Sequence, residues 1–353
     1  MANKREQVFL AALLHDIGKF YQRADNSFAD LQNKLSDDSK RIADLLCPLN
    51  KNGGFGYQHT VWTLQFLNEI ESKLKTVPNL IDNVFENDEQ TDSVYQLASF
   101  HHKPSTELQA LISLADWWSA GIDRRNAFEL ENGAPNDPLQ WGRSQYKKRP
   151  LFSIFNRING YSGNYAFPLS HLKADDCTTF PKPINSASDG LSQSQYLELW
   201  NSFKEEALKL PSDTFSGFAE SLLYLLKKYT WCIPSNTTDM SDVSLYDHLK
   251  TTAAFADCLY QYMEENRDAF DYKDGRLTLK NKEYPVLLLG GDLSGIQKFI
   301  YNITASKAAK SLKGRSFYLQ LLVDSLIQKF ILHKDINATL AHVLYSSGGK
   351  FYM

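Results

Sequence analysis

Residues 13–20, with the sequence Leu-Leu-His-Asp-Ile-Gly-Lys-Phe, place a histidine beside a carboxylate at the end of an apolar run. His15 and Asp16 offer an imidazole nitrogen and a carboxylate oxygen, and both can bind one divalent metal ion. Lys19 lies four residues beyond His15, so on a helix both side chains point the same way, and its ammonium group suits a phosphate. A single His-Asp pair is more often a satisfied core or cap pair, so a metal site requires further ligands.

Further candidate ligands follow within the next hundred residues. His59 opens an apolar helical run, and His101 and His102 stand at the end of another, just before a proline where a helix would stop. Asp116 lies beside the buried stripe of a helix predicted over 106–120, where a carboxylate is costly unless a partner balances its charge. Together with the His-Asp pair, these residues suit one or two first-row divalent ions, which lower the pKa of a bound water and clamp a phosphodiester.

Composition narrows the classes of protein to consider. The 353 residues are 43% hydrophobic and 13% aromatic, enough to bury cores in two or three domains. The net charge of -3 excludes nucleic-acid binding by bulk charge, so any such contact must come from local patches. We find neither an apolar run of eighteen residues nor a signal sequence, and we expect a cytoplasmic protein without membrane contact. The four scattered cysteines indicate reduced thiols and no zinc ribbon.

The pattern predicts an α+β protein with three regions. Residues 1–130 form an all-α domain that carries the candidate ligands, and residues 131–283 form a mixed connecting region. Residues 284–353 begin with a predicted buried strand over 284–289, continue with a helix over 316–333 and a strand over 338–345, and end in the start of a third strand. This order describes half of a ferredoxin-like sheet. An unpaired edge is a liability, so we expect the natural protein to continue beyond Met353.

Three strings carry a family resemblance. They are the 13–20 run with the later paired histidines and Ala-Asp-Trp-Trp-Ser-Ala-Gly at 115–121, the 244–254 string Ser-Leu-Tyr-Asp-His-Leu-Lys-Thr-Thr-Ala-Ala, and the 291–301 string Gly-Asp-Leu-Ser-Gly-Ile-Gln-Lys-Phe-Ile-Tyr. In this order they resemble the large signature subunit of type III CRISPR effector complexes, closest to the Csm, or type III-A, branch. The first string resembles its HD domain, the second the helical segment before the palm, and the third the opening of its first palm domain.

The resemblance implies a metal-dependent nuclease that acts on single-stranded DNA, with manganese or nickel as the expected metal. His15 and Asp16 match its metal ligands, and Lys19 matches a phosphate contact. The other family motif positions match His59, His101, His102 and Asp116. Ordinary HD enzymes have a further histidine on a helix before the pair, which this chain lacks; because the family's HD domain is circularly permuted, we expect His59 to supply that ligand. CRISPR RNA, target RNA and other subunits of the complex are the implied partners.

The family's second activity, synthesis of cyclic oligoadenylates from ATP with magnesium, depends on a Gly-Gly-Asp-Asp string in a second palm. That string does not occur here, so we predict that this chain alone does not perform the synthesis. Loop residues of the first palm are candidate nucleotide contacts in the complete protein, although tight turns alone equally explain them. These candidates are Asp292, Ser294, Gly295, Ser346, Ser347, Gly348 and Gly349.

Two alternative functions and one basic cluster stay open on sequence alone. The chain is a non-catalytic scaffold with an idle HD site in one alternative, and a stand-alone HD phosphohydrolase acting on a nucleotide in the other. A basic linker contains Lys307, Lys310, Lys313 and Arg315. Its sequence fits two interpretations equally well: a contact with RNA or ATP phosphates, or a solvated surface turn.

Overall fold

The computed structural model divides into two compact units, residues 1–283 (unit 1) and 284–353 (unit 2). It describes residues 3–25, 31, 33–35, 37–47, 56–80, 92–121, 143–158, 164–185, 191–236, 242–280, 283–301, 308–333 and 336–353. Within these ranges, no helix combines the length and the apolar character that crossing a membrane requires.

Unit 1 is built mainly of helices, as the pattern predicts. They are α1 (Lys4–Leu14), α2 (Gly18–Ala24), α3 (Asp37–Leu46), α4 (His59–Glu69), α5 (Glu71–Leu74), α6 (Val94–Ser99), α7 (Glu107–Ser119), α8 (Phe155–Ile158), α9 (Asp176–Thr179), α10 (Gln193–Ala207), α11 (Phe215–Thr230) and α12 (Leu245–Glu265). Short 3-10 turns cover Arg143–Lys148 and Arg267–Ala269.

Side-chain caps set where the longer helices begin. Thr106, Ser192, Thr214 and Ser244 each accept a hydrogen bond from a backbone N–H in the first turn of α7, α10, α11 and α12. Each cap satisfies a donor that has no partner within the helix. The polar residues before the apolar runs therefore fix the register in which α7 and α12 present their side chains.

Helix α1 is the centre of unit 1. Every residue from Gln7 to Leu14 is buried, and the helix packs against α6, α7 and α12. A helix that is apolar all round belongs inside a core. A turn at residues 15–17 separates α1 from α2, so the His-Asp pair lies between two helices.

Two small antiparallel sheets complete unit 1. Strands β1 (Leu151–Phe152), β2 (Tyr165–Phe167) and β3 (Lys182–Pro183) pair in the order β1-β2-β3. Strands β4 (Phe270–Lys273) and β5 (Arg276–Leu279) form a hairpin whose two turn residues, Asp274 and Gly275, have φ of 50° and 75°. Positive φ at both central residues is the type I′ geometry that suits the right-handed twist of hairpin strands.

Unit 2 contains both helices and a sheet, so the chain has an α+β fold. Its elements are β6 (Gly290–Asp292), α13 (Ile296–Tyr301), α14 (Ala308–Ile331), a 3-10 turn (Leu340–His342), β7 (Tyr345–Ser347) and β8 (Lys350–Tyr352). The sheet is antiparallel with the order β6-β8-β7, and α14 packs on β7 and β8. Its core is a small cluster of Val323, Ile327, Ile331 and Phe351.

Three expectations for unit 2 are wrong in detail. Residues 284–289 are not a buried strand, since Leu287 is 83% and Leu288 66% exposed and β6 begins at Gly290. The strand expected over 338–345 is a 3-10 turn followed by β7, so Ser346 and Ser347 are strand residues and only Gly348–Gly349 turn. The basic residues from Lys310 to Arg315 lie in α14 and not in a linker; Lys307 is outside the described residues.

Candidate metal centre

The turn between α1 and α2 presents the His-Asp pair to α4. The Thr63 hydroxyl donates a hydrogen bond to the His15 carbonyl oxygen at 2.9 Å and accepts one from the Gly18 amide at 3.0 Å. A Cβ on Gly18 would lie 1.8 Å from the His59 carbonyl oxygen, so only glycine permits this approach. The contact of α2 with α4 therefore places the His59 side chain beside Asp16.

Asp16 is the shared member of two groups of candidate ligands. In the first group its Oδ1 lies 3.0 Å from His59 Nε2 and 3.7 Å from His101 Nε2. His102 completes this group, with its Nε2 3.0 Å from His59 Nε2. One ligand atom from each of the four residues lies within 4.8 Å of the others, a spacing that one metal ion can bridge.

The second group combines His15, Asp16, Asp116 and His248. His248 Nε2 lies 3.2 Å from Asp16 Oδ2 and 3.1 Å from Asp116 Oδ1, and His15 Nε2 lies 3.4 Å and 3.6 Å from the same two atoms. Four buried donors thus surround a common point. A carboxylate shared by two ligand sets is an arrangement suited to a pair of divalent ions.

The sequence interpretation missed His248. We expected His59 to stand in for the histidine that ordinary HD enzymes have before the pair, but the structure places His59 in the first group and His248 of α12 beside the His-Asp pair and Asp116. The only sequence signal was its place in the 244–254 string, since nothing near His248 repeats a metal-ligand spacing.

Hydrogen bonds at the opposite ring nitrogens orient the imidazoles. His15 Nδ1 donates to the Ala12 carbonyl oxygen at 2.8 Å, and His101 Nδ1 donates to the Ala98 carbonyl oxygen at 2.7 Å. The Ser119 hydroxyl lies 3.0 Å from His248 Nδ1. Such bonds leave Nε2 as the atom that faces the centre, which is how metal-binding histidines are positioned in proteins.

Buried polar atoms at the centre lack hydrogen bonds within the part of the chain that the structure describes. They are His15 Nε2, Asp16 Oδ1 and His101 Nε2. A buried polar atom that makes no hydrogen bond carries a desolvation cost, which a bound ion would remove. The residues therefore fit a divalent metal, with nitrogen and oxygen donors of the kind that first-row ions accept.

The electrostatics keep both carboxylates ionised. Burial raises the pKa of Asp16, but the positive charges of Lys19 and His15 outweigh it and hold the pKa well below its usual range. Burial also raises the pKa of Asp116, but the nearby imidazoles of His15 and His248 outweigh it and hold the pKa well below its usual range. The centre therefore offers two negative charges to a cation.

The histidines differ in charge. Burial lowers the pKa of His15, but Asp16 and Asp116 raise it more, to about 9. Burial and the charge of His15 lower the pKa of His101 to about 3, and burial also lowers the pKa of His59 and, further, that of His102. Neutral imidazoles are the form that binds metal, so in this structure His15 alone of these four must lose a proton to become a ligand.

The remaining predicted site residues are Lys19 of unit 1 and the candidate nucleotide contacts of unit 2. Lys19 Nζ is 2.5 Å from Asp16 Oδ2, so the lysine pairs with the carboxylate here. In unit 2, Asp292 of β6 and Ser347 of β7 both pair with Lys350 of the central strand. The Leu293 amide donates to the Gly349 carbonyl oxygen, which brings the loop before α13 to the Gly348–Gly349 turn.

Family models match two parts of the chain. The HD domain matches residues 1–121, and the domain described as Csm1 subunit domain B matches residues 285–353. The two matches fall in units 1 and 2 respectively.

Among curated proteins, the chain is similar to CRISPR system single-strand-specific deoxyribonucleases Cas10/Csm1 of subtype III-A. Identity is 33% over 382 residues with the Methanocaldococcus jannaschii protein and 30% over 371 residues with that of Enterococcus italicus. Each alignment covers 99% of this chain but only 41% and 42% of the relative. The chain thus spans about two fifths of the length of these relatives.

Solved structures show the same fold. The crystal structure of Csm1 in T. onnurineus aligns with a TM-score of 0.60 at 22% identity, covering all of this chain and 40% of that one. Csm1 in a Csm1-Csm4 subcomplex of the type III-A CRISPR-Csm interference complex aligns with a TM-score of 0.54 at 23% identity, covering 99% and 39%. The two domain matches, the relatives and this fold all support identification of the chain as part of a Cas10/Csm1 protein.

Proposed function

We propose that this chain hydrolyses phosphodiester bonds of single-stranded DNA with a pair of divalent ions, as part of a type III CRISPR complex. The observation that carries the proposal is the pair of ligand groups that share Asp16, with buried nitrogen and oxygen atoms that make no hydrogen bond. The HD match over this part of the chain and the deoxyribonuclease names of the relatives support it.

The four residues of each group would hold one ion. His15, Asp16, Asp116 and His248 form one set, and Asp16, His59, His101 and His102 form the other. When bound, such ions activate a water and neutralise charge on the phosphodiester. The pairing of Lys19 with Asp16 keeps the shared carboxylate ionised.

The exposed side of the centre indicates where DNA approaches. The side chains of Lys19 and His59 are 20% and 13% exposed, whereas those of His15 and His101 are fully buried. The substrate phosphate therefore reaches the centre past Lys19 and His59. There the ammonium group of Lys19 would also contact a phosphate oxygen, as a point charge.

Manganese or nickel is the metal we propose, because histidine nitrogen with carboxylate oxygen and without thiolate suits first-row ions of this kind. The proposed partners are CRISPR RNA, target RNA and other subunits; solved structures of relatives contain Csm1 with Csm4. We also propose that the candidate nucleotide contacts of unit 2 act only in the complete protein, and that this chain alone makes no oligoadenylates.

The test is cleavage of labelled single-stranded DNA with manganese, nickel or EDTA, alongside the metal content of the dialysed protein. We compare the wild type with the double variant His15→Ala, Asp16→Ala and with the control His171→Ala, a histidine outside both ligand groups. We expect metal-dependent cleavage that only the double variant loses, by more than about 100-fold, since even indirect metal partners contribute 10–100-fold.

Other outcomes separate the alternatives. Cleavage that survives in the double variant would contradict the assigned site. A wild type that binds no metal would favour the scaffold with an idle site. Hydrolysis of mononucleotides without DNA cleavage would favour the stand-alone phosphohydrolase. In the family, activity is expected to depend on target RNA, so a wild type that binds metal but does not cleave is retested in the assembled complex.

A further inference from the structure

A cleft of about 350 Å³ lies between α7 and the β4–β5 hairpin, beside the metal centre. Its walls include His102, Lys103, Trp117, Asp274 and Arg276. His102 also belongs to the first ligand group, so the cleft and the candidate metal centre share this residue. Clefts that hold small ligands have volumes from about 300 Å³ upward, so this one accommodates roughly one nucleotide.

Helix α7 links the cleft to the centre. Asp116 points into the second ligand group and is 6% exposed, while the next residue, Trp117, lines the cleft and is 38% exposed. The guanidinium of Arg276 lies 5.3 Å from the centre of a Trp117 ring, within the range of a cation–π contact. A large aromatic surface is thus held one residue away from a candidate metal ligand.

The β4–β5 hairpin, which forms the opposite wall, packs closely on neighbouring segments. Gly275 at the hairpin tip rests on Pro104, since a Cβ there would lie 2.5 Å from the Pro104 carbonyl oxygen. Arg267, just before β4, forms an ion pair with Glu107 of α7. The hairpin therefore contacts the segment that carries His102, and its Arg276 lies over Trp117.

The charges of the cleft suit a backbone phosphate. Lys103 and Arg276 are cations on two of its walls, and Lys103 Nζ is anchored by a hydrogen bond to the Leu45 carbonyl oxygen. Asp274 is the one carboxylate among the lining residues that the structure describes, so the cations outnumber it. An aromatic platform with neighbouring cations is how proteins hold unpaired nucleotides without reading their sequence.

We propose that this cleft binds one nucleotide of single-stranded DNA next to the scissile phosphate, with Trp117 stacking on its base and Arg276 and Lys103 contacting its backbone. This inference rests on the proposed function, and it gives a reason why the site would select single-stranded DNA over duplex DNA. Bases in a duplex are paired and stacked on one another, so they cannot lie on Trp117, whereas an unpaired base can.

The test is the affinity of this chain for a fluorescein-labelled single-stranded oligonucleotide in EDTA, where no cleavage occurs. We expect Trp117→Ala to weaken binding by about 5- to 150-fold, the range for loss of one base–aromatic stack. Trp117→Phe keeps an aromatic ring and should retain most of the affinity. The matched control is Tyr224→Ala, an aromatic side chain that is 62% exposed in the same unit and outside the cleft.

A second readout reports stacking directly. An oligonucleotide containing 2-aminopurine should lose fluorescence on binding to the wild type and to Trp117→Phe, and keep it with Trp117→Ala. If Trp117→Ala does not fold, Arg276→Ala tests the same cleft and should weaken binding and flatten its dependence on salt.

Several results would overturn the proposal. These are no measurable binding by the wild type, equal affinity of wild type and Trp117→Ala, equal losses in Tyr224→Ala, or a duplex that binds as tightly as the single strand. Manganese content is measured on the same samples. A wild type that binds the oligonucleotide through Trp117 but takes up no metal would contradict the proposed function and leave the cleft assignment standing, so the two failures are distinguishable.

Discussion

The central helices of the two units differ in how much of their surface is buried. In unit 1, α1 is buried on every side from Gln7 to Leu14. In unit 2, the described side chains of α14 are buried only at Val323, Ile327 and Ile331, while Phe317 is 64% exposed. Within the described residues, every buried charged side chain lies in unit 1. Removing a charge from water costs several kcal/mol, and a large apolar core can offset that cost. Among the described residues, unit 1 has the larger core.

The largest difference between the units should appear when aromatic side chains are truncated. Phe203 is fully buried and its ring packs against those of Phe20, Phe66 and Trp200. Phe203→Ala should lower the free energy of unfolding by about 3–5 kcal/mol, the cost of removing a buried phenyl ring. Phe317→Ala should change it by less than about 0.5 kcal/mol, because an exposed ring contributes little packing.

Hydrogen exchange of the amides in α10 and α14 reports the two units separately. Faster exchange of α10 in Phe203→Ala, with α14 unaltered in Phe317→Ala, is the expected result. Equal effects of the two substitutions would show that the contrast in burial has no energetic counterpart.

A smaller effect, of opposite sign in the two units, is expected for two glycines. Gly18→Ala forces a Cβ to within 1.8 Å of the His59 carbonyl oxygen and should destabilise unit 1 by about 1–3 kcal/mol, as overpacking does. Gly314 lies in α14 with open space at its Cβ, so Gly314→Ala should stabilise unit 2 by about 0.5–1 kcal/mol through helix propensity.

Tryptophan fluorescence during thermal unfolding checks the first glycine, because all six tryptophans precede residue 284. Slower exchange of the α14 amides checks the second. If Gly18→Ala unfolds at the wild-type temperature, then α2 and α4 do not approach as closely as the structure shows, and the placement of His59 beside Asp16 has to be revised.

Local pattern selected those members of the two candidate ligand groups whose signal is local. His15 and Asp16 are adjacent, and His101, His102 and Asp116 stand at helix ends or beside buried stripes, so sequence alone selected them. His248 was missed because its place in the second ligand group depends on the packing of α12 on α1, and no spacing in the sequence indicates that contact. Pairings between distant helices are set by packing of whole faces, and one histidine on such a face looks like an ordinary core residue.

Fold class followed from the same local signals, whereas burial in unit 2 did not. The apolar run at 284–289 favours a strand and an interior position, but burial also requires an element that covers the run. In the structure Leu289 exchanges backbone hydrogen bonds with Met353, which extends the pairing of β6 and β8, while Leu287 and Leu288 stay exposed. A segment can thus have strand-like backbone pairing without having buried side chains. The hydrophobicity of a sequence indicates only that burial of its side chains is favourable.

The smallest predicted effect tests this point directly. Leu288→Ser should change the stability of unit 2 by less than about 0.5 kcal/mol, because the side chain is already 66% exposed. A buried strand would instead lose roughly 1.5–3 kcal/mol when its leucine is replaced. Ile327→Ser is the matched control. Ile327 is 4% exposed in the core cluster, so this variant should lose at least that much stability.

Exchange of the α14 amides measures both variants. If Leu288→Ser accelerates exchange as much as Ile327→Ser does, then the 284–289 run is buried as its sequence suggests, and the contrast between the two units is smaller than the structure shows.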